Sequence, residues 1–375
     1  MKNRICEMFG IEFPIVAFTH CRDVVAAVSK AGGMGILGAE AGTPESLDID
    51  LKWIAEQVGG KPFGVDVIVP AKYEGKAEGE VSAAELRDRI PEEHRVWLEN
   101  LLDRYNVPAR LDTDRRGQGR ATAPMSYAGA AQMMDVAFMH PIALIVNALG
   151  SPPPDMVARA HAAGIRVGAL AGKAAHAVRH VAAGVDLVIA QGSEAGGHTG
   201  EIGTMVLVPE VVDAVAPIPV LAAGGIGGGR QMAAALALGA EGVWCGSLWL
   251  TTEEAETHPT VKQKFLTATS SDTVRSRSRT GKPARQLRSA WTDEWEGPDS
   301  PGTLPMPLQP LLIASASERI DRGAHDPNSG SAKLANYFVG QIVGSMNEIK
   351  PAARVVVEMV DEFIDAMQRV EAMMA

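Results

Sequence analysis

The sequence Val185-Asp-Leu-Val-Ile-Ala-Gln191-Gly-Ser-Glu-Ala-Gly-Gly-His198-Thr-Gly-Glu201 is an apolar run that breaks off at a polar, glycine-rich loop. Its first half suits a strand buried on both faces, which in parallel sheets is nearly continuous Val, Ile and Leu. The same grammar recurs on either side, at Pro14–Ala17, Met34–Leu37, Phe63–Ile68, Ile142–Val146, Ile165–Ala169, Ile218–Ala222 and Glu241–Cys245. Ala-rich segments such as Asp23–Ala31, Asp155–Ala163, Lys173–Ala183 and Arg230–Leu238 lie between them. Several end in a glycine (Gly32, Gly164, Gly184, Gly239) that leads directly into the next run, the C-capping signature of a helix feeding a strand. Eight strands alternating with helices predict an α/β protein, a (β/α)8 TIM barrel.

Two stretches break the alternation. Between Phe63 and Ile142 the chain is too long for one crossover, and about 71–129 reads as an insertion after strand 3. It is expected to hold a helix over Ser82–Tyr105 and a looser segment around Arg115-Arg-Gly-Gln-Gly-Arg120. Such an insertion emerges at the catalytic face of a barrel, so it is either a lid or a surface elaboration. After residue 250 no ninth strand–helix unit is evident. The expected division is a barrel over 1–250 and, over 251–375, a mostly helical extension packing on it. That extension ends in an amphipathic helix at about 352–373, whose apolar stripe reads as packing.

Composition narrows the function classes. The 375 residues are 46% hydrophobic and 21% charged, with a formal net charge of −10. That acidity argues against nucleic acid as a partner. No uninterrupted apolar run is long enough for a membrane helix, and the N-terminus has no secretory pattern. Cys6, Cys21 and Cys245 show no metal or disulfide spacing. A cytoplasmic protein with reduced thiols and no bound metal is expected, and homo-oligomerisation is left open.

The candidate chemistry lies at the ends of strands 6, 7 and 8. Gly196, Gly197 and Gly200 let backbone approach a planar ligand, Gln191 can pair with the edge of a heterocycle, and His198 titrates near neutrality. After strand 7, Ala223-Gly-Gly-Ile-Gly-Gly-Gly-Arg230 runs into a helix N-terminus, an anion-binding arrangement. Gly246 and Ser247 after strand 8 complete the corner where barrels often bind phosphate. Gly224, Gly225, Gly246 and Ser247 are therefore the candidate phosphate cradle. Asp66, an acid inside strand 3, needs a partner or a ligand. His140, His161, His176 and His180 read as structural, and His20, after strand 1, sits at the catalytic face. The cluster Arg275, Arg277, Arg279, Arg285 and Arg288 reads as a solvated or ion-paired face rather than an anion site.

These strings resemble the nitronate monooxygenase (2-nitropropane dioxygenase) family of FMN-dependent barrels. The likeness rests on Phe13-Pro-Ile-Val16, Ala27–Gly35, Gln191–Gly200, Ala222–Ile226, Gly239–Val243, Gly281-Lys-Pro-Ala-Arg285 and Gly340-Gln-Ile-Val-Gly344. It implies that His198 is the active-site histidine, that Gln191 and Gly196 contact FMN, and that Gly225, Gly246 and Ser247 hold its phosphate. Gly197, Gly224 and Asp66 are added as candidate cofactor-binding positions from their places beside these strands. The sequence departs from the family at Phe18-Thr-His20, where Pro-Met is common, at Asp66, where Asn is usual, and at Trp244-Cys245 before the Gly-Ser pair.

The resemblance implies oxidation of alkyl nitronates by O2 to a carbonyl compound and nitrite, with His198 as base or hydrogen-bond donor. The alternative on the same scaffold is an NAD(P)H-dependent reductase of quinones or enoyl thioesters. A third reading, a non-catalytic flavoprotein, is disfavoured by the intact motif.

Overall fold

The computed structural model describes residues 1–39, 42–69, 83–109 and 127–374. Its eleven described strands are β1 (Ile15–Thr19), β2 (Met34–Gly38), β3 (Phe63–Val67), β4 (Leu144–Asn147), β5 (Arg166–Ala171), β6 (Leu187–Gln191), β7 (Gly197–His198), β8 (Val220–Ala223), β9 (Gly242–Cys245), β10 (Thr273–Ser276) and β11 (Ala284–Leu287). Eight of them close a parallel barrel in the order β1-β2-β3-β4-β5-β6-β8-β9. The ring shuts where Ile15, Val16 and Ala17 pair with Val243, Trp244 and Cys245. The expected (β/α)8 barrel is the fold.

Strand periodicity sorts the side chains between lumen and outer layer. Val16, Ile36, Leu144, Val146, Leu187, Ile189, Leu221 and Trp244 form one buried cluster inside the barrel. Their neighbours Ala17, Leu37, Val65, Val67, Ile145, Val188, Ala222 and Val243 pack outward against the helices. Ile5, Cys6 and Phe9 join the lumen cluster, so the short helix Arg4–Phe9 plugs one end. Asn3 starts that helix, its side-chain oxygen accepting from Cys6 N at 2.9 Å.

Seven barrel helices, Arg22–Lys30, Pro44–Gln57, Tyr127–Ala137, Pro154–Ala162, Ala174–Ala182, Thr204–Val215 and Gly229–Ala237, follow their strands. The eighth is the helix at the end of the chain, Ala352–Glu371, which packs on Gly229–Ala237 and on Arg22–Lys30. Val355, Val356 and Met359 supply its buried stripe. The terminal helix thus completes the barrel's outer ring, and residues 247–351 are a long excursion between the last strand and the last helix.

That excursion has a core of its own. Phe265, Trp291, Trp295, Leu308, Leu312 and Ile320 pack with Leu98, Leu101 and Leu102 from the insertion after β3. Two excursions from the same face of the barrel therefore fold together. Where one helix is expected over Ser82–Tyr105, there are two, Ala83–Asp88 and Glu92–Arg104. Pro91 stands at the break because it lacks the N–H an uninterrupted helix would use. Arg319, which is 6% exposed, ties the segments by donating to Glu99 at 2.7 and 3.0 Å and to Pro108 O at 2.9 Å. The segment Arg115–Arg120 lies outside the described residues, as do 71–82 and 110–126 of the expected insertion.

Candidate functional site

The loop after β6 turns out over the mouth of the barrel and becomes a strand. Gly197 and His198 form β7, which pairs antiparallel with Arg285 and Ala284 of β11, itself paired with β10. The second region thus holds the histidine in place. His198 Nδ1 lies 3.3 Å from the carbonyl of Pro283. A carbonyl only accepts, so Nδ1 carries the proton and Nε2 presents a lone pair. The imidazole is half-buried, and burial pushes its pKa below the ordinary histidine value, with the Lys282 ammonium acting in the same direction. Phe338 flanks it, with ring centroids 6.4 Å apart.

The lumen rim is the floor of this mouth. Gln191 follows Leu187 and Ile189 on the inward face of β6, and its side chain makes no hydrogen bond among the described residues. Asp66 alternates with the outward Val65 and Val67, so it faces the lumen three strands round the barrel, and it is 2% exposed. Trp244 is buried and stacks on Phe18, whose ring also meets His20 edge-on. These are the positions where the sequence departs from the family pattern, and three of them, Phe18, His20 and Trp244, form one aromatic cluster.

The glycines are dictated by close approach. Gly224 and Gly225 have φ of +93° and +69°, which L side chains rarely adopt. A Cβ at Gly196 would lie 2.9 Å from Gly340 N and Val339 C, so the segment after Phe338 presses directly on this loop. Gly340 N donates to Ser247 Oγ at 2.7 Å, and Gln341 N to Glu194 O at 2.9 Å. Gly196, Gly224, Gly225 and Ser247 are thereby brought together, whereas Asp66 stands apart on the far side of the lumen. Gly246 lies against Phe18, a Cβ there falling 3.7 Å from the ring.

The helix N-terminus after β8 differs from its sequence reading. Gly229 N donates to Glu362 Oε2 of the terminal helix at 2.8 Å, so one of the N–H groups read as an anion donor is already taken.

The arginine cluster also serves a different purpose from a plain solvated face. Arg275 donates to Thr199 O at 3.2 Å and Arg285 to Ser193 O at 3.0 Å, bracing both ends of the glycine loop. Arg279 donates to Asn336 and lies over the rings of Tyr337 and Phe338. Arg288, paired with Asp293 at 2.8 Å on the surface, and the exposed Arg277 behave as the sequence suggests. Sequence reasoning missed the strap Phe338–Gln341, Pro283 and Glu194 as parts of the site. Their signals were present in Gly281–Arg285 and Gly340–Gly344, but nothing in the sequence brings those segments to the loop after β6.

Cys6, Cys21 and Cys245 are free and buried, and the Cys245 thiol is pushed up to about 12 by burial. No helix among the described residues is long and apolar enough to cross a membrane.

A closed parallel barrel with a glycine cradle and an oriented histidine at the C-terminal ends of its strands belongs to the barrel oxidoreductases. The sequence pattern of the nitronate monooxygenase family matches residues 2–362. The chain belongs to that family, and is an oxidoreductase of its flavin-dependent class. It is similar to a putative monooxygenase of Mycobacterium tuberculosis, 60% identical over 100% of this chain and 99% of that one. A probable nitronate monooxygenase of Staphylococcus aureus is 28% identical over 93% and 98% of the two chains. Among solved structures, nitroalkane oxidase from Streptomyces ansochromogenes matches with a TM-score of 0.80 at 27% identity, over 98% of this chain and 99% of that one. FabK from Thermotoga maritima matches at 0.71 and 26%, over 99% of each.

Proposed function

We propose that this protein oxidises alkyl nitronates with O2 on a bound FMN, yielding a carbonyl compound and nitrite. The observation that carries the reading is His198: Nδ1 is held by Pro283 O, and burial lowers the pKa of the ring, which favours its neutral form. A neutral imidazole with its Nε2 lone pair free is a base for the carbon acid of a nitroalkane. Once protonated, the same nitrogen can donate to a nitronate oxygen.

The residues fit FMN. The cradle at Gly224–Gly225 has backbone geometry that a side chain would oppose, and Gly246 and Ser247 face the same corner across Gly340. These four positions would take the phosphate, while Gln191, Gly196, Gly197 and Asp66 would line the ring pocket. FMN supplies the electron chemistry, and the barrel supplies position and electrostatics. The substrates are then a small nitro compound and O2.

Replacing the base tests this directly. His198→Ala should retain FMN but lose about a hundredfold or more in kcat/KM on neutral nitroalkanes, the usual scale of general-base catalysis. Preformed nitronates should be affected less. Equal losses on both substrates would remove the base from the mechanism.

The likeness to FabK favours a second reading, NAD(P)H-dependent reduction of quinones or enoyl thioesters. Anaerobic mixing separates the two. Bleaching of the flavin by NADH or NADPH supports the reductase, and bleaching by nitronate alone supports the monooxygenase.

A further inference from the structure

Glu194 lies inside the glycine loop and is used by neither the base nor the cradle. Its carboxylate crosses to the helix Thr204–Val215, where Thr204 N donates to both oxygens at 3.0 and 2.9 Å. Gly203, the residue that starts this helix, has no side chain with which to cap it, so the loop supplies the cap from a distance. The Thr204 hydroxyl lies 2.9 Å from Glu194 Oε2 and 2.9 Å from Gly224 O. With one proton to give, it is shared between the loop and the cradle.

Two further contacts end on the same residue. Glu194 O accepts from Gln341 N of the strap, and a Cβ on Gly225 would sit 3.5 Å from Glu194 Cβ. The nearby Arg285 guanidinium does not take the carboxylate. Arg285 donates instead to Ser193 O and Thr273 Oγ1. Four elements therefore meet at one residue: the helix Thr204–Val215 and the Gly224–Gly225 corner at its side chain, the strap at its main-chain carbonyl, and the loop that leads to His198, to which it belongs.

We propose that Glu194 is a positioning residue that fixes the distance between the His198 strand and the Gly224–Gly225 corner. It thereby sets both FMN affinity and the alignment of His198. This rests on the flavin reading above. A shift in the loop would loosen the cradle and move the base together, because the Thr204 hydroxyl meets Glu194 on one side and Gly224 O on the other.

The test compares Glu194→Ala, Glu194→Gln and Thr204→Val as purified full-length protein. FMN dissociation constants are read by flavin fluorescence, and turnover on neutral nitroalkane and on preformed nitronate is read at saturating FMN. Glu194→Ala should weaken FMN binding by about ten- to a hundredfold, the range for a lost hydrogen bond to a charged group. It should also lower the nitroalkane-to-nitronate activity ratio. Glu194→Gln, which keeps one acceptor oxygen, should restore part of both effects. Thr204→Val should move both the same way by less.

A purely structural role would lower the melting temperature but leave the FMN constant and the activity ratio at wild-type values, and that result overturns the proposal. If Glu194→Ala does not fold, unchanged constants and ratios in Glu194→Gln and Thr204→Val overturn it equally. Failure of the wild-type protein to take up FMN overturns the flavin reading itself, which is a different outcome from a mutant that binds FMN normally.

Discussion

The barrel packs residues supplied by neighbours in sequence, whereas the second core packs residues from two distant segments, mostly aliphatic side chains around Phe265, Trp291 and Trp295. In the barrel, each strand meets the next strand and the helix between them, so Val, Ile, Leu and Ala recur at short intervals. In the second core, residues 90–107 must find residues 261–346. Its buried side chains also carry more polar chemistry. Gln309 accepts from Leu304 N and donates to Ser278 O, Asn336 bonds Gln286, and Arg319 grips Glu99. Hydrophobic burial is non-directional, and such pairs fix which surfaces meet. The difference matters for function because the barrel supplies the floor and cradle, while the second region supplies Pro283, Phe338 and the strap.

The sharpest way to break this comparison is to hollow out the second core. Trp295 is 3% exposed and contacts Trp97 and Trp291, with ring centroids 4.5 and 5.8 Å away. Trp295→Ala should cost about 3–5 kcal/mol in denaturant unfolding. It should also weaken FMN binding, since the hairpin β10–β11 and the strap rest on that core. Trp295→Phe should cost less than about 2 kcal/mol, because the indole N–H it removes is buried without an acceptor. A Trp295→Ala protein that kept wild-type FMN affinity would separate the second core from the site.

A smaller effect is expected where the two excursions are pinned. Removing the carboxylate from Glu99 leaves the buried Arg319 guanidinium with its bond to Pro108 O and no counter-charge among the described residues. Glu99 itself is largely exposed, so the penalty for Glu99→Gln is discounted to about 1–2 kcal/mol. Glu12→Gln, which breaks the exposed pair with Lys61 at 2.9 Å, should cost under about 0.5 kcal/mol. Matching values from denaturant midpoints would remove the special status of the Arg319 junction.

The same contrast explains what could be read from sequence. The β6 run and the loop ending in His198 were legible because both their strand period and their glycines are local. Gly224, Gly225, Gly246 and Ser247 were legible because the ends of successive barrel strands are neighbours by construction. The role of Glu362 was not, since it depends on the terminal helix returning to close the ring beside Gly229. The short hairpin β10–β11 was read only as an arginine-rich surface. Its strands are four residues each, and their pairing with β7 brings together residues whose separation in sequence no periodicity records. Phe338 was silent for the same reason.

The strap offers a finer probe. Ser247→Ala removes the acceptor for Gly340 N without altering the backbone of the corner. One neutral hydrogen bond contributes about 0.5–1.5 kcal/mol, so loss of the strap bond accounts for a fall of up to about tenfold in FMN affinity, and loss of the proposed phosphate contact should add to it. A fall of about tenfold or less would mean that Ser247 holds the strap and not the phosphate. An unchanged affinity would mean that the strap holds through Gln341 and the Gly196 contact alone.

The smallest expected effect concerns Lys282, which belongs to the second region but acts on the base held by the barrel loop. His198 is held below its ordinary pKa, first by burial and then by the Lys282 charge, while the Pro283 carbonyl opposes both. A base must be unprotonated, so kcat/KM on neutral nitroalkane should fall on the acid side as pH drops through that lowered pKa. Lys282→Gln removes a positive charge, which makes the imidazolium easier to form and raises the pKa. The acid limb should therefore move to higher pH, whereas Lys282→Arg should leave it in place. Oxidation of preformed nitronate needs no such base, and its profile should lack the displaced limb. A limb that moves to lower pH in Lys282→Gln, or moves equally for both substrates, would show that the titrating group is not His198.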